Sequence, residues 1–341
     1  MQGPNRLYNG SMRSGLFTAI TIALLLPVVA GAQSLESMNS SQPFTVSVSP
    51  QFPTPLSQAT LSFLSSSLEL NNSIVTVSVD GKEIYTGSAR PVSLTLGKTG
   101  SVTNVTVKVV TNGQTYTQKV SLQPQDISLV VEPVSSSPPL YQGKSFVPLE
   151  GDVRVVAMAN MKSSNGRAVD PSQLAYTWKV DAATLASASG IGKKALLVAS
   201  PLQYRSRSVS VSVMSQDGAL VGGAEVALTA LEPSIRIYEN DPLLGLRYER
   251  AISGSFNILD AESSLYAAPF SLPTTGGAPF IQWFLDGNSV QTGNSITLRP
   301  TGSGEGTASL SLTASTGESG STSAILSLIF GTKPSFNLFG L

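Results

Sequence analysis

Tyr176-Thr177-Trp178-Lys179-Val180-Asp181 decides how the chain is read. It alternates apolar and polar positions, the period of a strand with one buried face, and it stops at an Asp. The pattern returns as Ile281-Gln282-Trp283-Phe284-Leu285-Asp286-Gly287, and an aromatic-free version stands earlier as Val75-Thr76-Val77-Ser78-Val79-Asp80-Gly81. Asp80, Asp181 and Asp286 lie 101 and 105 residues apart. Asp-Gly after a strand suits a tight turn, so each copy predicts a strand followed by a hairpin. An internal repeat of about 100 residues is one domain long, which predicts a row of similar all-β units.

Composition agrees. The chain has 341 residues, of which 41% are hydrophobic and 12% charged, against a usual share of ~25% charged. Ser and Thr occupy positions that charges would otherwise take, which suits strands and turns. Acidic and basic residues balance at 21 each, so no basic patch recommends nucleic acid as a partner. The sequence holds no Cys and no His. That removes the Ser-His-Asp triad, the thiol nucleophile, zinc sites built on imidazole or thiolate, and a lipid-bearing Cys.

The first 32 residues read as a signal peptide. Arg6 and Arg13 precede a nearly continuous apolar run from Leu16 to Ala30, with no acidic residue before Glu36. Ala30-Gly31-Ala32 then gives the small-x-small cleavage pattern, with Gln33 as the expected mature start. The run is shorter than the ~20 residues that a membrane helix needs. Met12 offers an alternative translation start, and an uncleaved signal would be the chain's one membrane contact. Ser14-Gly15-Leu16-Phe17 faintly resembles a type IV prepilin processing site, but Ile20 stands where that family has Glu.

Beyond it, residues 33–42 form a Ser-rich linker. Residues 43–124, 125–232 and 233–330 are three expected domains, and 331–341 a C-terminal tail. In each domain the Asp is followed by a short strand, a loop, an alternating strand, a turn and a closing strand. The closing pairs span Val105–Leu122, Val209–Leu228 and Ala308–Leu328. The fold class is therefore all-β: three tandem immunoglobulin-like β-sandwiches after the signal peptide. Short linkers containing Pro124 and Pro233 predict a semi-rigid rod. Each domain should bury its own core, with modest contacts at the junctions.

Trp178 and Trp283, the only tryptophans, are expected in the sandwich cores rather than as sugar-stacking platforms. Asp80, Asp181 and Asp286 are expected to accept N–H bonds from the turns that follow them. Glu239, Asp241, Asp260 and Glu262 near the second junction are too sparse to cage calcium, which takes six to eight oxygens. Lys193-Lys194 and Arg205-Ser206-Arg207 read as short solvated loops. No catalytic, cofactor-binding or metal-ligating residue is assigned, and no cofactor is expected.

The two Trp stretches resemble those of bacterial extracellular immunoglobulin-like and PKD-like domains, and the whole arrangement is similar to secreted immunoglobulin-like proteins of small uncultured bacteria. PKD domains place Gly-Asp-Gly after the aromatic strand, and this chain does not. The resemblance implies a non-enzymatic structural or adhesive protein of the bacterial cell surface, associated with appendages such as pili. Its implied location is extracellular or in the envelope, and its implied partner a surface protein or polysaccharide. The alternative is a carbohydrate-binding or accessory module of an extracellular hydrolase system. Exposed tryptophans beside a cleft would favour that second reading.

Overall fold

The computed structural model describes residues 43–301, 304–317 and 320–331. The expected signal peptide, the expected linker and nearly all of the tail lie outside the described residues. No helix in the described part is long and apolar enough to cross a membrane. The helical content there is three 3-10 turns of three residues each.

The first domain has seven strands: β1 (Thr45–Ser49), β2 (Gln58–Leu64), β3 (Ile74–Val79), β4 (Lys82–Gly87), β5 (Val92–Thr95), β6 (Thr103–Thr111) and β7 (Gln114–Leu122). One sheet is ordered β1-β2-β5 and the other β4-β3-β6-β7. Alternation sets the layers. Val105, Val107 and Val109 of β6 lie beside Val75 and Val77 of β3 on the buried side of one sheet, and Thr106 and Lys108 point outward.

The second domain repeats this arrangement. Its strands are β8 (Asp126–Pro133), β9 (Asp152–Asn160), β10 (Ala175–Val180), β11 (Ala183–Thr184), β12 (Gly190–Ile191), β13 (Ala195–Ala199), β14 (Ser206–Met214) and β15 (Val221–Thr229). The sheets are ordered β13-β9-β8 and β11-β10-β14-β15, with β12 also pairing β10. β9 pairs with β13 and also with β8 before it.

The third domain contains β16 (Ser234–Asp241), β17 (Gly245–Leu246), β18 (Gly254–Ile258), β19 (Ser263–Phe270), β20 (Phe280–Leu285), β21 (Asn288–Thr292), β22 (Ser295–Leu298), β23 (Gly306–Ser315) and β24 (Ser321–Phe330). Its sheets are β17-β16-β19-β22 and β18-β24-β23-β20-β21. After β16 the chain turns back through β17 and then crosses to the other sheet, where β18 pairs in parallel with β24. Two-sheet antiparallel sandwiches with the first, second and fifth main strands on one side are immunoglobulin-like, and the chain carries three in a row.

Each domain has its own apolar cluster of inward-facing residues from both sheets. Trp178 and Trp283 are fully buried at the same position of β10 and β20, as their inward phase predicts, and Val77 takes that place in β3. Burial demands a partner for the indole N–H. Trp178 Nε1 donates to Lys193 O and Trp283 Nε1 to Gly293 O, both at 2.8 Å.

The three aspartates do more than shape a turn. Each sits at positive φ, 47–49°, and closes a two-way lock with the neighbouring strand rather than with the turn that follows. Asp80 donates its N–H to Asn104 O, and its Oδ1 accepts from Asn104 N at 2.9 Å. Asp181 does the same with Ser208 and Asp286 with Ser309, at 3.0 and 2.8 Å for the carboxylate bonds. The local turn expected from sequence is thus a tie between the strand that each Asp ends and its sheet neighbour: β3 to β6, β10 to β14 and β20 to β23.

The residue after each Asp also has positive φ: 84° at Gly81, 81° at Gly287 and 68° at Ala182. Two successive residues in this region make the turn that follows strand twist, and glycine enters it without a Cβ clash. Ala182 holds that conformation against its Cβ. Ala182→Gly should therefore stabilise the second domain by about 0.5–1 kcal/mol, measured by urea denaturation. A loss of stability would contradict the strain.

Candidate functional site

Of the residue types that carry chemistry, the described part offers carboxylates, hydroxyls, Lys and Tyr, and several that the sequence singles out are engaged in structure. Arg207 is no free loop cation: its Nε meets Asp181 Oδ2 at 3.1 Å and its Nη1 donates to Ala199 O at 2.7 Å. Lys193 donates from Nζ to Ser187 O while its carbonyl receives Trp178. Arg205, by contrast, is exposed as expected. Ser208 Oγ donates to Glu225 Oε1 at 2.5 Å on the outer face of the second domain. Among the described residues no third group orients the Glu225 carboxylate, as the nucleophile–base arrangement of covalent catalysis requires.

The acids near the second junction scatter. Asp241 Oδ1 accepts from the N–H groups of Leu243 and Leu244, both at 2.8 Å, and so fixes the turn between β16 and β17. Glu262 pairs with Arg299 at 2.7 Å. Among the described residues no three acidic side chains gather in a way that could hold a metal.

Asp241 gives a pH expectation. The N–H bonds from Leu244 and then Leu243 hold its carboxyl below the usual carboxylate range. Its contribution is therefore present above the unfolded value of ~3.9 and disappears as pH falls through the lowered folded value. A carbon-detected NMR titration should place Asp241 below a free Asp. A midpoint at or above the free value would show that those hydrogen bonds are not held in solution.

The surfaces that the sequence did not announce lie at the junctions. Between the first and second domains, the segment after β1 reaches forward and lays Phe52 on β15. Gly223 makes room: a Cβ there would lie 2.4 Å from the Phe52 ring. Gly100 of the first domain likewise abuts the backbone of Lys162 and Ser163, and the Gln125 amide brackets Lys162 with bonds of 3.0 and 2.8 Å. Beside Phe52 runs an open crevice of about 310 Å³, lined in part by Thr177, Lys179, Ser210, Ser212 and Glu225.

Between the second and third domains the contact extends beyond the linker. The segment after β8 spans residues 134–151 and lies against the third domain. Ser136 N donates to Leu272 O at 2.7 Å, Ser271 N to Ser136 O at 3.1 Å and Thr274 N to Val134 O at 3.0 Å. The Ser271 hydroxyl donates to Leu231 O at 2.9 Å. Phe146 joins an apolar cluster with Tyr238, Ala268 and Phe270 that continues through Tyr248, Ala251 and Tyr266. Tyr141 packs its ring edge against Phe270 at 5.3 Å, and Phe146 lies 6.1 Å from it. Residues 134–151 form no strand of their own sandwich: Val147 packs on its core, while Tyr141 and Phe146 serve the next one.

Comparison with known proteins adds a coarse likeness. No family model and no curated protein matches the chain. Among solved structures it is similar to Sidekick-1 immunoglobulin domains 1–5, at 12% identity over 82% of this chain with TM-score 0.28. The chain spans 57% of that structure's length. It is also similar to the central fibronectin-III array of RIM-binding protein, at 11% identity over 85% of this chain and 96% of that one, with TM-score 0.26. A third is the three N-terminal domains of the outer capsid protein Hoc of bacteriophage RB49, at 12% identity over 85% and 99% of the two chains, with TM-score 0.23. All three are tandem arrays, but such scores carry no argument, and the fold assignment rests on the sheets described above.

Proposed function

We propose that the chain is an exported, non-enzymatic structural or adhesive protein of the bacterial cell envelope, a spacer that bears on surface appendages such as pili. The observation that carries this reading is the forward-reaching segment at each junction. Phe52 and the 134–151 segment tie successive sandwiches together, as an element that transmits position or load requires. The signal-like N-terminus and the absence of His and Cys from the sequence support it. The carbohydrate-binding alternative loses its best candidates, because both tryptophans are core residues. Its remaining room is the crevice beside Phe52. A metal-free rod is part of the same proposal, so millimolar calcium should leave the melting temperature unchanged.

Cell fractionation with N-terminal sequencing tests export. The mature chain should begin at Gln33 in the extracellular or envelope fraction. Protein that retains Met1 or Met12 in that fraction would overturn the cleaved-signal reading. Binding of purified protein to a polysaccharide panel, lost on Phe52→Ala, would transfer the assignment to the alternative.

A further inference from the structure

Both junctions use the segment that follows a domain's first strand, although Phe52 lands on the β10-β14-β15 sheet of its neighbour and Tyr141 and Phe146 on the β16-β19 sheet of theirs. The third domain has a segment at the corresponding place. After β1 that segment puts Phe52 on the second domain, and after β8 it puts Tyr141 and Phe146 against Phe270 of the third. After β16 the corresponding segment is a hairpin, with Asn240 opposite Leu246 and Asp241 opposite Gly245. Its tip carries Leu243 and Leu244, 92% and 71% exposed. The tip is ordered, since both backbone N–H groups are held by Asp241. Leu259, 62% exposed, follows β18 at the same pole, where Ile258 pairs with Phe330. Isolated exposed leucines need no explanation, but three at one pole, two of them on a pre-formed hairpin, mark a contact surface.

The receiving half is free at the other end of the array. The second and third domains take their neighbour on the pole formed by the loop after the second strand and the turn between the last two. In the first domain that pole lies beside residues 65–73 and Asn112-Gly113. There Ile74 and Val110, 55% and 39% exposed, are direct cross-strand neighbours, and Leu64, 59% exposed, ends β2. Among the described residues, nothing covers either surface.

We propose that the occupant of the Leu243-Leu244 hairpin is the first domain of a second copy of this chain. The contact would continue the first junction from one molecule to the next, since Ile74 and Val110 hold the places in the first domain that Ala175 and Met214 hold beside Phe52 in the second. Donor and receiver are different surfaces, so the contact does not close on itself, and copies add head to tail into an open fibre. The proposal goes beyond the envelope reading and does not depend on export.

Sedimentation velocity of the 33–341 chain across a rising concentration series tests it. The wild type should grow from monomer through dimer to longer species. Leu243→Asp with Leu244→Asp spoils only the donor, and Ile74→Asp only the receiver. All three side chains are largely exposed, so the melting temperature should stay near that of wild type. Each variant alone should associate at least about tenfold more weakly. Mixed, they retain one intact donor and one intact receiver and should form a one-to-one dimer that grows no further. A wild type that stays monomeric throughout would overturn the proposal, and so would association that both variants leave intact or a mixture that forms no dimer.

Discussion

Trp283→Ala is expected to destabilise the third domain by about 3–5 kcal/mol, enough to leave it largely unfolded at ambient temperature if its stability lies at the low end for a domain. Three costs combine. The indole is fully buried among Ile281, Leu310, Leu312 and Leu326, so removing it leaves a cavity that a two-sheet core cannot collapse into. The Gly293 carbonyl loses the N–H that satisfies it at 2.8 Å. That carbonyl lies just before β22, so the segment returning to the opposite sheet loses its anchor to the core. Trp283→Phe separates these terms, because it keeps most of the volume and forfeits the hydrogen bond. It should cost less than half as much. Urea denaturation followed by far-ultraviolet dichroism measures both. A cost below about 1 kcal/mol for the alanine variant would mean that the ring is not core.

Much of this fold is legible from the repeat alone. The period of two along β6, β14 and β23 sets which residues face inward, and the Trp-to-Asp spacing sets where the third strand ends. What stayed hidden is of two kinds. The Asp ties to Asn104, Ser208 and Ser309 cross from one strand to another more than 20 residues on, and a carboxylate at a strand end gives no local sign of which N–H it will meet. The junctions were hidden for a related reason. Residues 134–151 are rich in Pro and Ser and carry no strand period, so they read as an ordinary loop. Tyr141 and Phe146 look unplaced in their own domain, and only the third domain explains them. Two aromatics in a long loop between well-patterned strands were the available signal. For the candidate site the sequence could exclude chemistry by the absence of His and Cys, but it could not assign the surfaces that remain.

Phe270→Ala should have the second large effect, and it should reach beyond its own domain. Phe270 ends β19 on the outer side of its sheet and would be exposed in an isolated third domain. It is 5% exposed because Tyr141 and Phe146 of the second domain cover it and Arg236 stacks above it at 5.8 Å. Truncating a buried Phe costs about 3–5 kcal/mol, and here a large part of that energy is coupling between domains. Such coupling makes the second and third domains unfold together in the wild type, since losing either one exposes the apolar cluster on the other. The two tryptophans report on one domain each, Trp178 on the second and Trp283 on the third, so coupling predicts a single fluorescence transition in the wild type, and Phe270→Ala should split it in two, with the third domain melting first. Val130→Ala, on the outer face of the second domain away from this cluster, should leave the transitions together and shift them by no more than about 0.5–1 kcal/mol. Transitions already separate before Phe270 is changed would show that the contact exists without energetic coupling, and the array would then be a string of independent units rather than a rod stiffened at its second joint.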